Sequence, residues 1–352
     1  MGGIGSNTAV SRDERLWPAL SVTLLLFVLL FFLSLNIGKV HVTFADIIAM
    51  FLDKMNINQE VAANIAAQKQ IVFWNVRLPR SILACSVGAA LSVAGAVMQT
   101  LYRNPLASPD VIGVTQAANL GVGISIFFFS ASTMVIQGFS FSFGVLALLL
   151  SFAIVSRLPG SSVTVLVLIG VIISALFQAG LTLLLYLSDP YSDMLRINYW
   201  LLGAFNASNW EKVGLVFPLV LVGIFFLIIF SWRLNIMGQT DEEIKSLGIN
   251  LPRWRFIYVM FVALIVSVST AAVGNISWVG LIIPHIARSI IGSNQKQVVP
   301  YAAVLGALFL LLIDTIIRNL PAGEVPISVI TSFVAAPYLG WLIFSKQKRG
   351  VW

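Results

Sequence analysis

An all-α, polytopic membrane protein with about ten transmembrane helices is the fold class this sequence predicts, on three observations. Of its 352 residues 59% are hydrophobic and only 10% charged, whereas soluble domains carry roughly 25% charged residues. Its mean hydropathy is +0.95. Ten apolar runs approach the ~20 residues a helix needs to cross ~30 Å of hydrocarbon, and no hydrophilic stretch between them is long enough for a separate soluble domain. The net charge of +7 suits the Lys and Arg excess that holds cytoplasmic loops in place. No basic cluster stands on a soluble body, so the lipid bilayer and not nucleic acid is the expected partner.

The elements follow in order. Residues 1–16 form a polar tail of mixed charge. The run from Leu20 to Leu35 lacks a small-residue cleavage site and reads as a retained first span, 17–37. Residues 38–79 are a long external loop, in which "FADIIAMFLDKMN" has helical periodicity and would lie on the membrane surface. Spans are expected at 80–101, 111–130, 139–157, 163–187 and 212–231, then at 256–274, 277–291, 300–317 and 326–345. Residues 17–345 are therefore one transmembrane domain, followed by a short basic tail at 346–352. With both termini inside, 13 of the 21 Lys and Arg fall on cytoplasmic segments and 8 outside, the bias expected for that orientation.

The cytoplasmic loop 232–255 holds "GQTDEEIKSLGINLPRWRF". Thr240 with Glu243 three residues on makes a capping box, and Gly248 suits a helix C-terminus. A short capped helix there is expected to be a contact element. "LPR" occurs at Leu78–Arg80 and Leu251–Arg253, and "ALSV" and "ALIV" follow at the same spacing. On the expected topology the two copies run in opposite directions, as in the inverted repeats of transporters.

Several chemistries have no motif. There is no G-x-x-x-x-G-K-[ST] phosphate loop, no H-E-x-x-H or Cys/His cluster and no G-x-S-x-G elbow. The one cysteine, Cys85, lies in an apolar stretch and reads as a core filler. Carboxylates within spans are few, Asp314 near a span end and Glu324 in the turn after it. An ion-coupled carrier usually needs more. A stand-alone secondary transporter and a membrane-embedded enzyme are the rival classes, and each lacks the polar cluster it would require. No metal site and no cofactor are expected in the chain.

"GNISWVGLIIPHIARSIIG", Gly274 to Gly292, puts Pro284, His285 and Arg288 inside an apolar run. Pro284 withdraws an N–H from the ladder, giving a bent or two-piece span or a simple kink, and its freed carbonyl needs another partner. His285 reads as a packing or helix-start residue, and Arg288 as an inside-positive anchor that snorkels.

This stretch resembles the signature of the iron-siderophore and vitamin B12 permeases of bacterial ABC importers, with Trp278 where those proteins have Phe. "RLPR" (77–80), "GAALSVAGAVMQTLYRNPLASPDVIGV" (88–114), "YWLLGAF" (199–205), "KSLGINLPRWR" (245–255) and "DTIIRNLPAGEVPISVITSFVAAP" (314–337) resemble further family segments in the same order. Thr240, Ile244, Ser328 and Ala335 depart from the family pattern.

The resemblance implies ten spans per subunit and a dimer of identical or related permeases around a central path. It also implies two ATPase subunits that carry the ATP and Mg, and an extracytoplasmic solute-binding protein. The chain would then be no enzyme itself, and would sit in the bacterial cytoplasmic membrane. It further implies that Arg77, Arg80 and Arg318 form an outer patch docking the binding protein through carboxylates, with lipid-headgroup anchoring as the alternative. Asp241, Glu242, Lys245, Leu247 and Gly248 would belong to the ATPase coupling loop. Ser161 and Ser162 would line a cytoplasmic gate, with helix capping as the alternative. The implied cargo is a ferric siderophore or similar iron complex, with vitamin B12, haem or an oxyanion as alternatives.

Overall fold

The computed structural model describes residues 16–56, 65–109, 113–129, 132–158, 163–321 and 325–348. The described chain is helical, with no strand among those residues. Helix α1 is Leu16–Asn36 and α2 is Phe44–Lys54. Helix α3, Ala67–Leu101, is continuous with a π-helical turn at Val72–Arg77. Helices α4 (Val114–Phe128), α5 (Thr133–Ser156), α6 (Val163–Leu187) and α7 (Asp193–Leu201) complete the first half. The second half holds α8 (Trp210–Ile229), α9 (Ser231–Met237), α10 (Asp241–Ser246), α11 (Leu251–Val273), α12 (Val279–Ile291), α13 (Gln295–Arg318) and α14 (Ile327–Lys348).

Seven of these (α1, α3, α5, α6, α8, α11 and α13) are long and apolar enough to cross a membrane, and α4, α12 and most of α14 are shorter apolar helices. Each coincides with one of the ten expected spans. The amphipathic segment of the first long loop is also a helix, α2, with its own capping box between Thr43 and Asp46. Four boundaries move by five residues or more. The loop 38–79 is shorter than expected because α3 already begins at Ala67, and α5, α11 and α13 begin at Thr133, Leu251 and Gln295, ahead of the expected 139, 256 and 300.

Helix α3 is the axis of the molecule. Its apolar window is 83% buried, against 17% for α1, which places α1 at the periphery and α3 at the centre. Close contact explains how α3 can touch so many neighbours. A Cβ on Gly95 would overlap the carbonyl oxygen of Gly280 in α12, and a Cβ on Gly88 would overlap that of Gly306 in α13. Small residues let backbones meet in this way, and in lipid that packing is what joins helices. Helix α11, 72% buried over its window, is the second inner helix. The two repeated words mark these two helices. Pro252 stands in the first turn of α11, where a missing N–H costs little, and Pro79 opens the α-helical stretch that follows the π-helical turn of α3. Since α3 and α11 are the second and seventh spans, they cross in opposite directions.

Pro79 interrupts α3 without breaking it. The turn before it widens, and the Leu78 N–H donates to Phe73 O, five residues back. A π-bulge of this kind absorbs an extra residue inside a helix. Phe73, fully buried, and Trp74 beside it pack edge-on against Phe51 of α2, with ring centroids 5.7 and 5.3 Å from Phe51. A Lys69–Asp46 ion pair of 2.8 Å adds to that join. Lys69 and the Thr43 N–H together hold the Asp46 carboxyl below its ordinary range.

Candidate functional sites: an arginine cluster, a bridged proline and a capped loop helix

At the end of the bundle opposite α10, the widened turn aims Arg77 and Arg80 at different partners. Arg77, 3% exposed, donates to the carbonyls of Leu35 and Asn36 at 2.8 Å each and also to Val40 O. Arg318 of α13 donates to Ser34 O at 3.0 Å. The last carbonyls of a helix have no partner within it, so these two arginines supply the C-terminal cap of α1. Arg80, 4% exposed, forms a 2.8 Å ion pair with fully buried Asp314, and its Nε donates to Oδ1 at 2.9 Å. Arg318 reaches the other oxygen of Asp314 at 3.3 Å.

The structure does bring Arg77, Arg80 and Arg318 together, at one end of the molecule. It corrects the expectation of an exposed positive patch, because all three side chains are buried and occupied by groups of this chain. Their fork geometry suits carboxylates, and Arg80 and Arg318 share that of Asp314, while Arg77 is taken up by backbone carbonyls. A sequence signal for this pairing exists. Arg80 opens the second span and Asp314 lies near the end of the ninth. Even and odd spans run oppositely, so the two stand at the same membrane depth.

The puzzling run 274–292 is resolved by one side chain of α3. Helix α12 is continuous through Pro284. The carbonyl that Pro284 leaves free is that of Gly280, and Gln99 Nε2 donates to it at 3.3 Å and to Leu281 O at 3.1 Å. The carboxamide oxygen of Gln99 in turn accepts from Arg288. Arg288 is therefore part of an internal bridge, and not the plain anchor expected from its position. His285 lies edge-on to Tyr338, ring centroids 6.2 Å apart. Trp278, at the family position usually held by Phe, is the N-cap of α12 with φ +75°, a left-handed conformation that is uncommon for a bulky residue.

At the other end, α10 is built as the sequence predicts. The Thr240 side chain accepts from the Glu243 N–H, and the Glu243 carboxylate accepts from the Thr240 N–H at 2.9 Å and from its hydroxyl at 2.8 Å. Both bonds hold the Glu243 carboxyl below its ordinary value. The helix ends with Gly248 at φ +69°. There the Gly248 N–H donates to Lys245 O at 2.9 Å and the Ile249 N–H to Ile244 O, which is the Schellman arrangement.

The two faces of α10 differ. Glu242, Lys245 and Leu247 are exposed, Leu247 by 61%. Ile244 is fully buried in the main core, which accounts for a larger side chain there than the family pattern has. Asp241, expected in the coupling loop, faces inward and pairs with Arg103 and Arg255. Ser161 and Ser162 lie outside the described residues.

Residues 25–345 match the FecCD transport family. The chain is 37% identical over 327 residues to the molybdate import system permease protein of Haemophilus influenzae, covering 93% of this chain and 95% of that one. It is 32% identical over 336 residues to the iron(3+)-hydroxamate import system permease protein of Bacillus subtilis, covering 93% and 97%. A solved structure of a metal-chelate type ABC transporter in an inward-facing conformation superposes with a TM-score of 0.83 at 35% identity, over 93% of this chain and 99% of that one. The chain belongs to the FecCD transport family, the multi-pass membrane permeases of ABC importers.

Proposed function

We propose that this chain is the permease subunit of an ATP-driven bacterial importer for a ferric siderophore or a similar iron complex. The observation that carries the coupling part of this reading is α10. It is a six-residue helix capped at both ends, pinned by Ile244, and turns exposed Leu247 and Lys245 away from the body. An exposed leucine on a rigid, polar helix suits insertion into a cleft on a partner. In this reading two ATPase subunits, bearing ATP and Mg, receive α10, and a second permease chain, identical or related, completes the path. Both termini lie in the cytoplasm, as the charge bias favours. A solute-binding protein docks at the opposite end. There Arg77, Arg80 and Arg318 act by fixing the shape of the docking surface, and Ser161 and Ser162 remain the candidate gate.

The similarity to the iron(3+)-hydroxamate permease and to the metal-chelate type transporter supports an iron complex. A molybdate-like oxyanion is the second reading, favoured by the 37% identity to the molybdate permease. Reconstitution with the ATPase and the binding protein in proteoliposomes tests both. ATP-dependent uptake of radiolabelled ferric hydroxamate is expected. Uptake of molybdate alone selects the second reading, and ATP hydrolysis by the rigorously purified single chain overturns the subunit assignment.

A further inference from the structure

We infer that Asp241 is the joint that clamps α10 to α3 and α11, so that a displacement of α10 moves the ends of both long helices. The inference rests on the coupling role proposed for α10. Asp241 Oδ1 accepts from Arg103 Nη2 and from Arg255 Nη2, each at 2.8 Å, and Oδ2 accepts from Arg255 Nη1 at 3.3 Å. Arg103 directly follows the last turn of α3, and Arg255 lies in the second turn of α11. Arg103 Nη1 also donates to Gln239 O at 3.1 Å, so its guanidinium holds the chain on both sides of the N-cap Thr240. One turn along the same face of α10, Ile244 enters the core. A charged joint and an apolar pin thus fix the inward face, and the outward face is left for a partner.

The backbone at Arg103 is a second, independent observation. The Asn104 N–H donates to Gln99 O and the Arg103 N–H to Thr100 O, each at 3.1 Å. This closes α3 in a Schellman motif whose left-handed position is usually glycine. Here it is Arg103, with φ +49°, a conformation that disfavours any side chain. What the position gains from arginine is reach to Asp241.

Stability is not the gain. The side chains of Arg103, Asp241 and Arg255 are 31%, 26% and 14% exposed, and partly exposed pairs are screened and contribute little to folding. Two arginines converging on one carboxylate from two helices give direction instead. From Asp241 a route of direct contacts continues. Gln99, in the last turn of α3, bridges to α12, and Gly88 carries the contact to α13.

The test uses the complete importer in lipid nanodiscs, with a photo-cross-linker at Lys245 to report seating on the ATPase. The function read is the stimulation of ATP hydrolysis by the solute-binding protein. Arg103→Gly is the main variant, because glycine suits the cap and removes only the clamp. Asp241→Asn is the second. Each is expected to keep the cross-link and to lose about tenfold of the stimulation, the scale of a typical coupling between sites. No cross-link in the unsubstituted complex would mean that the coupling role itself is wrong. A cross-link with undiminished stimulation in both variants overturns the joint and leaves that role standing. Loss of the cross-link in both variants also overturns it, since the arginines would then build the docking surface and transmit nothing.

Discussion

Gln99 and Arg288 meet between α3 and α12, where the Gln99 oxygen accepts from Arg288 while its amide donates to the Gly280 carbonyl that Pro284 leaves free in the α12 ladder. Replacing Gln99 with Leu keeps the volume and removes every bond. Arg288 and the Gly280 carbonyl then lose a partner where water is scarce, at about 1–3 kcal/mol for an unsatisfied buried group. Thermal unfolding in detergent should show the loss as a fall in Tm. An unchanged Tm would mean that water or lipid replaces the carboxamide.

Asp314 carries a larger share. Asp314→Ala strands two buried guanidiniums, and breaking a buried pair costs about 3–5 kcal/mol. Arg80→Met combined with Asp314→Leu should recover part of it, because an apolar pair can match a buried ionic one. Expression and detergent melting of the wild type and the two variants check the order: wild type most stable, the double variant next, Asp314→Ala least.

Two glycines should respond with opposite sign. Gly95→Ala forces α3 away from the Gly280 carbonyl, an overpacking cost of about 1–3 kcal/mol. Gly138 lies inside α5 with nothing within 4 Å of an added Cβ, so Gly138→Ala should stabilise by about 0.5–1 kcal/mol. Paired melts of the two variants give the comparison.

The caps of α10 make two predictions. Thr240→Ala should destabilise this helix by about 0.5–2 kcal/mol. The Glu243 carboxyl lies below its ordinary value of 4.5 in the fold. Its contribution is therefore complete above that pH and disappears as pH falls through the lowered value. The protection factor of the residue-243 amide, its exchange divided into the intrinsic rate at each pH, should fall at the acid end between pH 6 and 3 in the native chain and stay flat in Glu243→Ala.

Gly248→Val meets no steric obstacle but must hold a β-branched residue at φ +69°, a strain of roughly 1–2 kcal/mol. The strain falls on the end of α10, so transport should be lost while membrane insertion persists. Normal uptake by this variant would show that the shape of α10 is irrelevant to coupling.

What was legible in the sequence was local. Run length alone located all ten spans, and the four-residue span of a capping box located α10 and its start. Gly248 was readable because one residue type dominates left-handed helix ends. Beyond the shared depth of Arg80 and Asp314, the tertiary partners were not legible. Arg77 caps carbonyls 41 and 42 residues upstream, and Gln99 and Arg288 are 189 residues apart. No short-range pattern announces such pairs, and counting charges per loop treats a buried arginine as an exposed one. The inward turn of Asp241 was not legible for another reason. In a six-residue helix with three acidic residues in its first turn, periodicity does not say which one faces in.

The 234 residues between Arg80 and Asp314 also set a schedule. A ribosome adding ~5–20 residues per second needs roughly 10–50 s to make them. For that interval the second span is already threaded while its countercharge does not yet exist. Arg80 must wait hydrated near the headgroups, its stem lying along the hydrocarbon. Only when the ninth span arrives can the arginine be drawn in, and Ser34 find Arg318. The first span would then be fastened last, and a nascent chain truncated before Asp314 should be threaded into the bilayer yet open at one face to quality-control proteases.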